Sequence, residues 1–490
     1  MTQIPRIVKN PGFLIIIILA LSGLTHLWNA AGFPDVFFDE GVYMRRAMHV
    51  LSGGGPQEGY FYDHPFFGQI FLASLLGISG FPSALHPTAS PSSISALYME
   101  PRLIMGILAV ADTYLIYKIA SIRYGPKVGL VSSMLLAVMP YTWVLRRILL
   151  DSILLPFLLL SVYLALYSRD TKRQDLAVLL SGTCLGLAIF TKVLIFVLIP
   201  LIAGLVYSYE GKKTRRMLLF FIPVLLIPSL WPLYSMEAGQ FNLWMHGISY
   251  QTERYNQGLP HISYLFLQMD PILFITGTAG AAYCMARRDW LVLMWFAPFV
   301  IFLLAIGYNQ YFYWIPILPA FCIAGSVLIV KATEWVKSRG VKNPTTMAVL
   351  CIASVGLAST LLVITTDMSH TQYEAASYIL RNVKAGDNGT TVLASPVYTW
   401  IFNYVFHMQN VPEDYSMVLF HPVTTSHVVL ISDLHFRTDT RRGGQISQYN
   451  SSRTVASFDL YNPYDTRYYP YTNLNENWGG MDIKIKERQG

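Results

Sequence analysis

Asp39 and Glu40 stand side by side in FPDVFFDEGVYMRRAMHVL (residues 33–51), which directly follows the most hydrophobic stretch of the N-terminal region, and Arg45 and Arg46 come close behind. Four charges beside an apolar run are costly unless water, lipid phosphate or chemistry satisfies them. A carboxylate can take the proton from an attacking hydroxyl. Guanidinium and ammonium groups hold phosphate by charge-assisted hydrogen bonds. On the topology read below, Asp63, His64, Glu100, Arg102, Arg146, Arg147, Asp151, Lys192, His246, Glu253 and Arg254 fall on the same outer face. Carboxylates mixed with cations at such places point to an anionic lipid headgroup and a general base. The plainer reading is a solvated juxtamembrane face with local ion pairs.

The elements that must position these residues are membrane spans. The 490 residues are 53% hydrophobic and only 13% charged, and apolar runs long enough to cross a bilayer recur along the chain. We read eleven spans, at 12–31, 100–120, 128–144, 151–167, 177–191, 193–209, 217–234, 268–286, 290–306, 313–331 and 346–365. The run from Ala177 to Tyr209 would be about 50 Å long as one helix, too long for a core of about 30 Å, so it divides at Thr191-Lys192. With the N-terminus inside, eighteen basic residues fall in cytoplasmic segments and seven on the opposite face before the C-terminal region, as the positive-inside rule expects. The net charge of +7 is therefore a topology signal. No clustered basic face of a soluble domain marks a nucleic-acid partner.

Two outer loops are long, 32–99 and 235–267. In the first, PFFGQIFLASLLGISGF reads as an interfacial helix, because counting it as a span would invert every later loop. Residues 1–365 thus form a transmembrane domain. Residues 366–490 lose the span pattern and read as a small extracytoplasmic α/β domain. Its signals are a helical stretch TQYEAASYILRNV, strand-like TTVLAS, HVVLIS and MDIKIKE, and a tyrosine-rich loop DLYNPYDTRYYPY. Asn388-Gly-Thr390 and Asn450-Ser-Ser452 have the form of glycosylation acceptors.

No P-loop, no GxGxxG ahead of a helix, no HExxH and no GxSxG occurs, so nucleotide and common hydrolase sites have no support. Cys184, Cys284, Cys322 and Cys351 are scattered through apolar runs without CxxC spacing and read as small hydrophobic residues.

The ordered series of motifs resembles a family. An Asp-Glu pair after the first span, followed by a tyrosine (Tyr43) and an amphipathic helix, precedes YDHP some twenty residues on. PRLIMGILAV, RRILLDS, GLAIFTK and YFYWIPILPA come after it. Over about residues 10–330 this is similar to the polyprenyl-phosphate-sugar glycosyltransferases of the GT-C fold, especially the dolichyl-phosphate-mannose protein mannosyltransferases and the lipid A aminoarabinose transferases. The resemblance implies a multi-pass α-helical membrane enzyme of GT-C type. It would move a sugar from dolichyl or undecaprenyl phosphate to a hydroxyl on protein, lipid or glycan, with inversion.

The same resemblance assigns Asp39 as the catalytic base, with Glu40 beside it and Asp151 as the second acidic position. It places Lys192 near the donor phosphate, and Arg102, Arg146 and Arg147 are further phosphate-binding candidates. Tyr43, Asp63, His64, Arg254 and either Tyr311 or Tyr313 are candidates for substrate contacts. Asp63, His64 and His246 could supply ligands to a divalent cation, but their spacing matches no compact metal motif, and the expectation is an enzyme that needs no metal. Two rival readings are a transporter, whose charges would gather at the bilayer midplane, and a non-catalytic polyprenyl-lipid-binding protein.

Overall fold

A computed structural model of the chain describes residues 11–59, 61–208, 213–255, 258–384, 389–419, 423, 425–438, 452–459 and 482–489. The tyrosine-rich loop beyond Asp459, Asn388 and Asn450 lie outside the described residues.

The chain runs through α1 (Pro11–Leu27), α2 (Phe38–Leu51), α3 (Phe67–Ile78), α4 (Pro91–Tyr124), α5 (Pro126–Val138), α6 (Leu150–Tyr167), α7 (Gln174–Thr191) and α8 (Ile199–Tyr207). It continues through α9 (Lys213–Glu237), α10 (Phe241–Glu253), α11 (Gly258–Met269), α12 (Pro271–Ala286), α13 (Trp290–Ala305), α14 (Leu318–Ser338) and α15 (Pro344–Ile364). Beyond these come α16 (His370–Asn382), β1 (Thr390–Leu393), α17 (Pro396–Trp400), β2 (His427–Ser432), α18 (Leu434–Thr438), β3 (Arg453–Phe458) and β4 (Ile483–Gln489).

Each of the eleven expected spans contains helix among its described residues. By length and composition, six helical segments among the described residues can cross a bilayer, and eight if two bent pairs each count as one crossing. The remaining difference from eleven lies in α1, in the short apolar segment 193–207, and in α12 and α13. Those two meet at an angle of 117° and enter our reading as separate spans. At twelve residues α3 is about 18 Å long and cannot cross a core of about 30 Å, in keeping with an interfacial helix.

Several helices break where proline or an extended residue interrupts the hydrogen-bond ladder. Between α5 and α6, Pro140–Arg146 form a 3₁₀ turn and Arg147 and Leu149 are extended. Lys192 is extended (φ −152°, ψ 119°) between α7 and the 3₁₀ turn Val193–Leu198. A third 3₁₀ turn, Tyr311–Ile317, leads into α14. Irregular backbone of this kind is tolerated at membrane depth only where protein or a cavity satisfies it. Here the breaks satisfy one another. The Tyr141 hydroxyl donates to the Tyr311 carbonyl at 2.6 Å, and the Trp143 and Tyr311 rings lie 6.0 Å apart. The Lys192 ammonium is 4.2 Å from the centre of the Tyr313 ring.

The C-terminal sheet has the order β1-β2-β4-β3. β1 pairs parallel with β2, and β4 pairs antiparallel with both β2 and β3. β1 is buried along its length and β2 nearly so, whereas β3 is largely exposed. The same apolar core runs from α1 and α4 into α16, α17 and β2. The region after residue 366 therefore packs onto the membrane helices and onto α2.

Candidate active site

Of the four charges singled out in the opening stretch, Asp39, Glu40, Arg45 and Arg46, three are satisfied by partners. Glu40 is fully buried and accepts from Arg102 Nε (3.0 Å) and Nη2 (2.9 Å), from Arg147 Nη1 (3.0 Å), and from the backbone amides of Ile148 (3.1 Å) and Phe37 (2.9 Å). Burial alone would raise the affinity of its carboxyl for a proton, but Arg102 and Arg147 outweigh that and hold it below the usual range. Arg45 donates to Glu58 at 2.8 Å and lies 3.2 Å from Glu413. Arg46 pairs with Asp63 at 2.8 Å.

Asp39 is the fourth. It is half-buried in the first turn of α2 and has no hydrogen bond or ion pair to any described residue. Burial pushes its carboxyl up to about 6, against the pull of Lys192 and Arg254 and with Asp63 and Asp151 adding to the rise. These four groups come from the ends of α7 and α10, the loop after α2 and the start of α6, so several elements bring charge to this one carboxylate. Tyr43 follows one turn later on α2, where burial, with Asp39, Asp63 and Asp151 adding to it, holds its phenol well above the usual range.

Lys192 donates to Asp151 at 2.7 Å and lies over the Phe312 and Tyr313 rings at 5.0 and 4.2 Å. Asp151 is fully buried, and its second oxygen has no hydrogen-bond partner among the described residues. Arg254 stacks on Tyr308 at 3.6 Å, and its guanidinium donates to the Gln251 side-chain oxygen at 3.1 Å. No carboxylate pairs with it among the described residues, so Arg254 is a cation held in place by an aromatic face with its charge uncancelled. His64 lies beside Asp63, whose carboxylate accepts the His64 amide at 2.9 Å. Burial, helped by Lys192, Arg46 and Arg254, pulls its ring down to about 3 against the opposing Asp63, so the imidazole is neutral at physiological pH.

Three expected phosphate ligands are placed elsewhere. Arg102 is fully buried and donates to Glu40 and to the carbonyls of Ala30, Pro34 and Asp35. Arg147 joins Glu40 to Asp35, with an ion pair of 2.5 Å to the latter. Arg146 donates to the Trp28 carbonyl and lies 5.4 Å from the Phe33 ring centre. All three arginines are buried, and Arg102 and Arg147 are committed to the loop before α2 and to Glu40. Glu40, expected as a catalytic partner of Asp39, is enclosed by five donors and anchors that loop. His246 is exposed on α10, and no group of three potential metal ligands gathers among the described residues, so the candidate ligands Asp63, His64 and His246 do not come together.

The two tyrosines of the tenth span part company. Tyr313 receives Lys192, whereas Tyr311 packs against Phe37, Phe312 and Trp143. Sequence reasoning passed over Asp35, Glu58 and Tyr308. Asp35 lies within the opening stretch, and Tyr308 only three residues before Tyr311, so proximity to the quoted motifs was the available signal.

The family model of the dolichyl-phosphate-mannose-protein mannosyltransferases matches residues 16–210. No curated protein matches the sequence. Among solved structures, ArnT from Cupriavidus metallidurans bound to undecaprenyl phosphate is similar with a TM-score of 0.61 at 12% identity, covering 97% of each chain. The apo oligosaccharyltransferase of Archaeoglobus fulgidus is similar with a TM-score of 0.56 at 11% identity, over 87% of this chain and 70% of that one. The Archaeoglobus fulgidus oligosaccharyltransferase AglB in complex with an inhibitory peptide and a dolichol-phosphate has a TM-score of 0.53 at 11% identity, over 92% and 73%. The chain thus has the GT-C fold of the polyprenyl-phosphate-sugar glycosyltransferases, and residues 16–210 match the mannosyltransferase family among them.

Proposed function

We propose that this protein is a membrane glycosyltransferase that moves a hexosyl or pentosyl group from a polyprenyl phosphate to a hydroxyl group on a protein, lipid or glycan acceptor. The observation that carries this reading is Asp39: a carboxylate without a partner among the described residues, its proton affinity raised toward neutrality, under the pull of two cations, Lys192 and Arg254, that lie over tyrosine rings. A general base is most effective when its pKa lies near the working pH.

In the proposed reaction the acceptor oxygen attacks the anomeric carbon as Asp39 takes the hydroxyl proton. The bond from that carbon to the phosphate oxygen breaks, and the polyprenyl phosphate departs with the electron pair. Lys192 and Arg254 receive the charge that develops on the leaving oxygen. One displacement with one base inverts the anomeric centre. A lipid-borne donor also accounts for a sequence without nucleotide motifs. The distribution of basic residues supports a site and C-terminal region on the extracytoplasmic side, with the N-terminus in the cytoplasm.

The test is to incubate the purified protein with radiolabelled dolichyl- and undecaprenyl-phosphate sugars and a membrane extract. Transfer of label to an extract component, lost in Asp39→Asn, is the expected result. Binding of the lipid without any labelled product would support the non-catalytic alternative.

A further inference from the structure

The loop that delivers Asp39 is held from two sides. From the membrane helices, Arg102 and Arg147 take the carbonyls of Pro34 and Asp35. From the C-terminal region, Met368 N donates to the Gly32 carbonyl, the Ser369 hydroxyl to the Pro34 carbonyl and the Tyr373 hydroxyl to the Ala31 carbonyl, each at 2.7 Å. Gln372, in the first turn of α16, makes the most specific contact. Its Oε1 accepts from the Val36 amide at 2.7 Å, and its Nε2 donates to the Val36 carbonyl at 2.8 Å. Only one orientation of the side-chain amide satisfies both backbone groups, and a shift of the loop by one residue would break both bonds. Val36 is three residues before Asp39, and Phe37, next along, is locked in turn to Glu40.

Just after Asp39 the same region closes in again. A Cβ on Gly41 would come within 2.4 Å of the Pro396 carbonyl and the Val397 amide, so the start of α17 lies directly on α2. The Tyr98 hydroxyl donates to the Val397 carbonyl at 2.7 Å and receives Trp400 Nε1 at 2.7 Å, which ties α17 to α4.

We propose that Gln372 is a positioning residue for the transfer reaction, fixing through the Val36 backbone the direction in which Asp39 faces the sugar. This rests on the reading of Asp39 as the base. It gives the C-terminal region a share in catalysis without contact with the reacting atoms. A misplacement of about 1 Å of a catalytic group is enough to cost about 10²-fold in rate.

Gln372→Leu removes both hydrogen bonds at nearly constant volume. We expect kcat per folded molecule to fall at least tenfold, with the affinity for undecaprenyl phosphate changed less than twofold. The midpoint of the Asp39 carboxylate, read by infrared titration as the difference between a chain with Asp39 and its Asp39→Asn counterpart, should move from about 6 toward the ordinary range as water reaches it. Lys192, Arg254, Asp63, Asp151 and Tyr43, which face that carboxylate from the ends of α7 and α10, the loop, α6 and α2 itself, are unchanged by the substitution. A merely structural Gln372 would lower thermal stability and leave kcat, pH profile and infrared midpoint as they were, and that result overturns the proposal. Gln372→Asn, too short to span both groups, should behave as the leucine variant does and serves if the latter does not fold; wild-type values for it would equally overturn the proposal. If Asp39→Asn itself turns over normally, the assignment of the base fails, whatever Gln372 does. If Asp39→Asn is inactive and Gln372→Leu normal, only the positioning role fails.

Discussion

Glu40 and Asp39 are neighbours on one helix turn and have nearly the same chemistry, yet they serve opposite ends. Around Glu40 every charge is cancelled: two arginines, two backbone amides and the carbonyls of residues 30–35 form a closed set. Around Asp39 the charges are only partly cancelled: Lys192 pairs with Asp151 and lies over a tyrosine face, Arg254 has rings and the Gln251 amide, and Asp39 has no partner among the described residues. The closed set carries the cost of burying charge and in return fixes a loop. The open set leaves its carboxylate at a proton affinity suited to exchange. Residue type alone does not separate the two; geometry does.

The comparison can be broken at its open side first. Asp39→Asn should lower turnover by 10²- to 10⁴-fold while the protein remains folded, since such a base contributes on that scale. In the wild type, log kcat should fall as the pH drops below about 6, because protonated Asp39 cannot accept a proton, and this acid limb should vanish from the residual activity of the variant. Near-normal turnover in Asp39→Asn together with loss in Glu40→Gln would reverse the roles assigned to the two carboxylates.

At the closed side the expected loss is of stability. Arg102→Ala leaves Glu40 buried with one guanidinium removed, and breaking such a pair costs about 3–5 kcal/mol. Thermal melting in detergent would show it, and a melting curve like the wild type's would mean that the closed set does not hold the loop. Smaller effects belong to the cations of the open side. Lys192→Ala or Arg254→Ala should weaken binding of undecaprenyl phosphate by about 1.5–3 kcal/mol, the range for hydrogen bonds to charged groups, measurable by titration calorimetry. Unchanged affinity in both variants would move the phosphate elsewhere.

The smallest effect has the opposite sign. Because Asp39 binds its proton more tightly folded than unfolded, its contribution favours folding below about pH 4 and is lost as pH rises through about 6, leaving an ionised, poorly solvated group at neutrality. Asp39→Asn removes that group, so at pH 7 it should stabilise the fold, by on the order of 1 kcal/mol given that the carboxylate is only half-buried. A lower melting temperature for this variant at pH 7 would show that Asp39 is better satisfied than its surroundings imply.

Much of the scaffold was legible because hydropathy reports directly on burial in lipid. The division at Thr191-Lys192 was readable from length and charge, and α7 ends at Thr191. Three of the four C-terminal strands have dense β-branched or alternating patterns; β3 (RTVASF), exposed along much of its length, has neither. Site residues were legible as types near span ends but not as partners. Nothing in RRILLDS distinguishes an arginine that meets lipid phosphate from one that meets Glu40, since the partner of Arg147 lies 107 residues away. Gln372 left no trace at all: a side-chain amide that binds backbone has no preferred sequence neighbour.

The clamp on the loop before α2 also has a consequence in time. Val36 and Gln372 are 336 positions apart in the chain. At about 5–20 residues per second, a ribosome needs roughly twenty seconds to a minute to pass from one to the other. For that interval the segment carrying Asp39 has been made while Met368, Ser369, Gln372 and Tyr373, which bind the loop before it, have not. The hold on this loop from the C-terminal side is thus a late step in building the molecule, and until it forms only Arg102 and Arg147 can fix the loop.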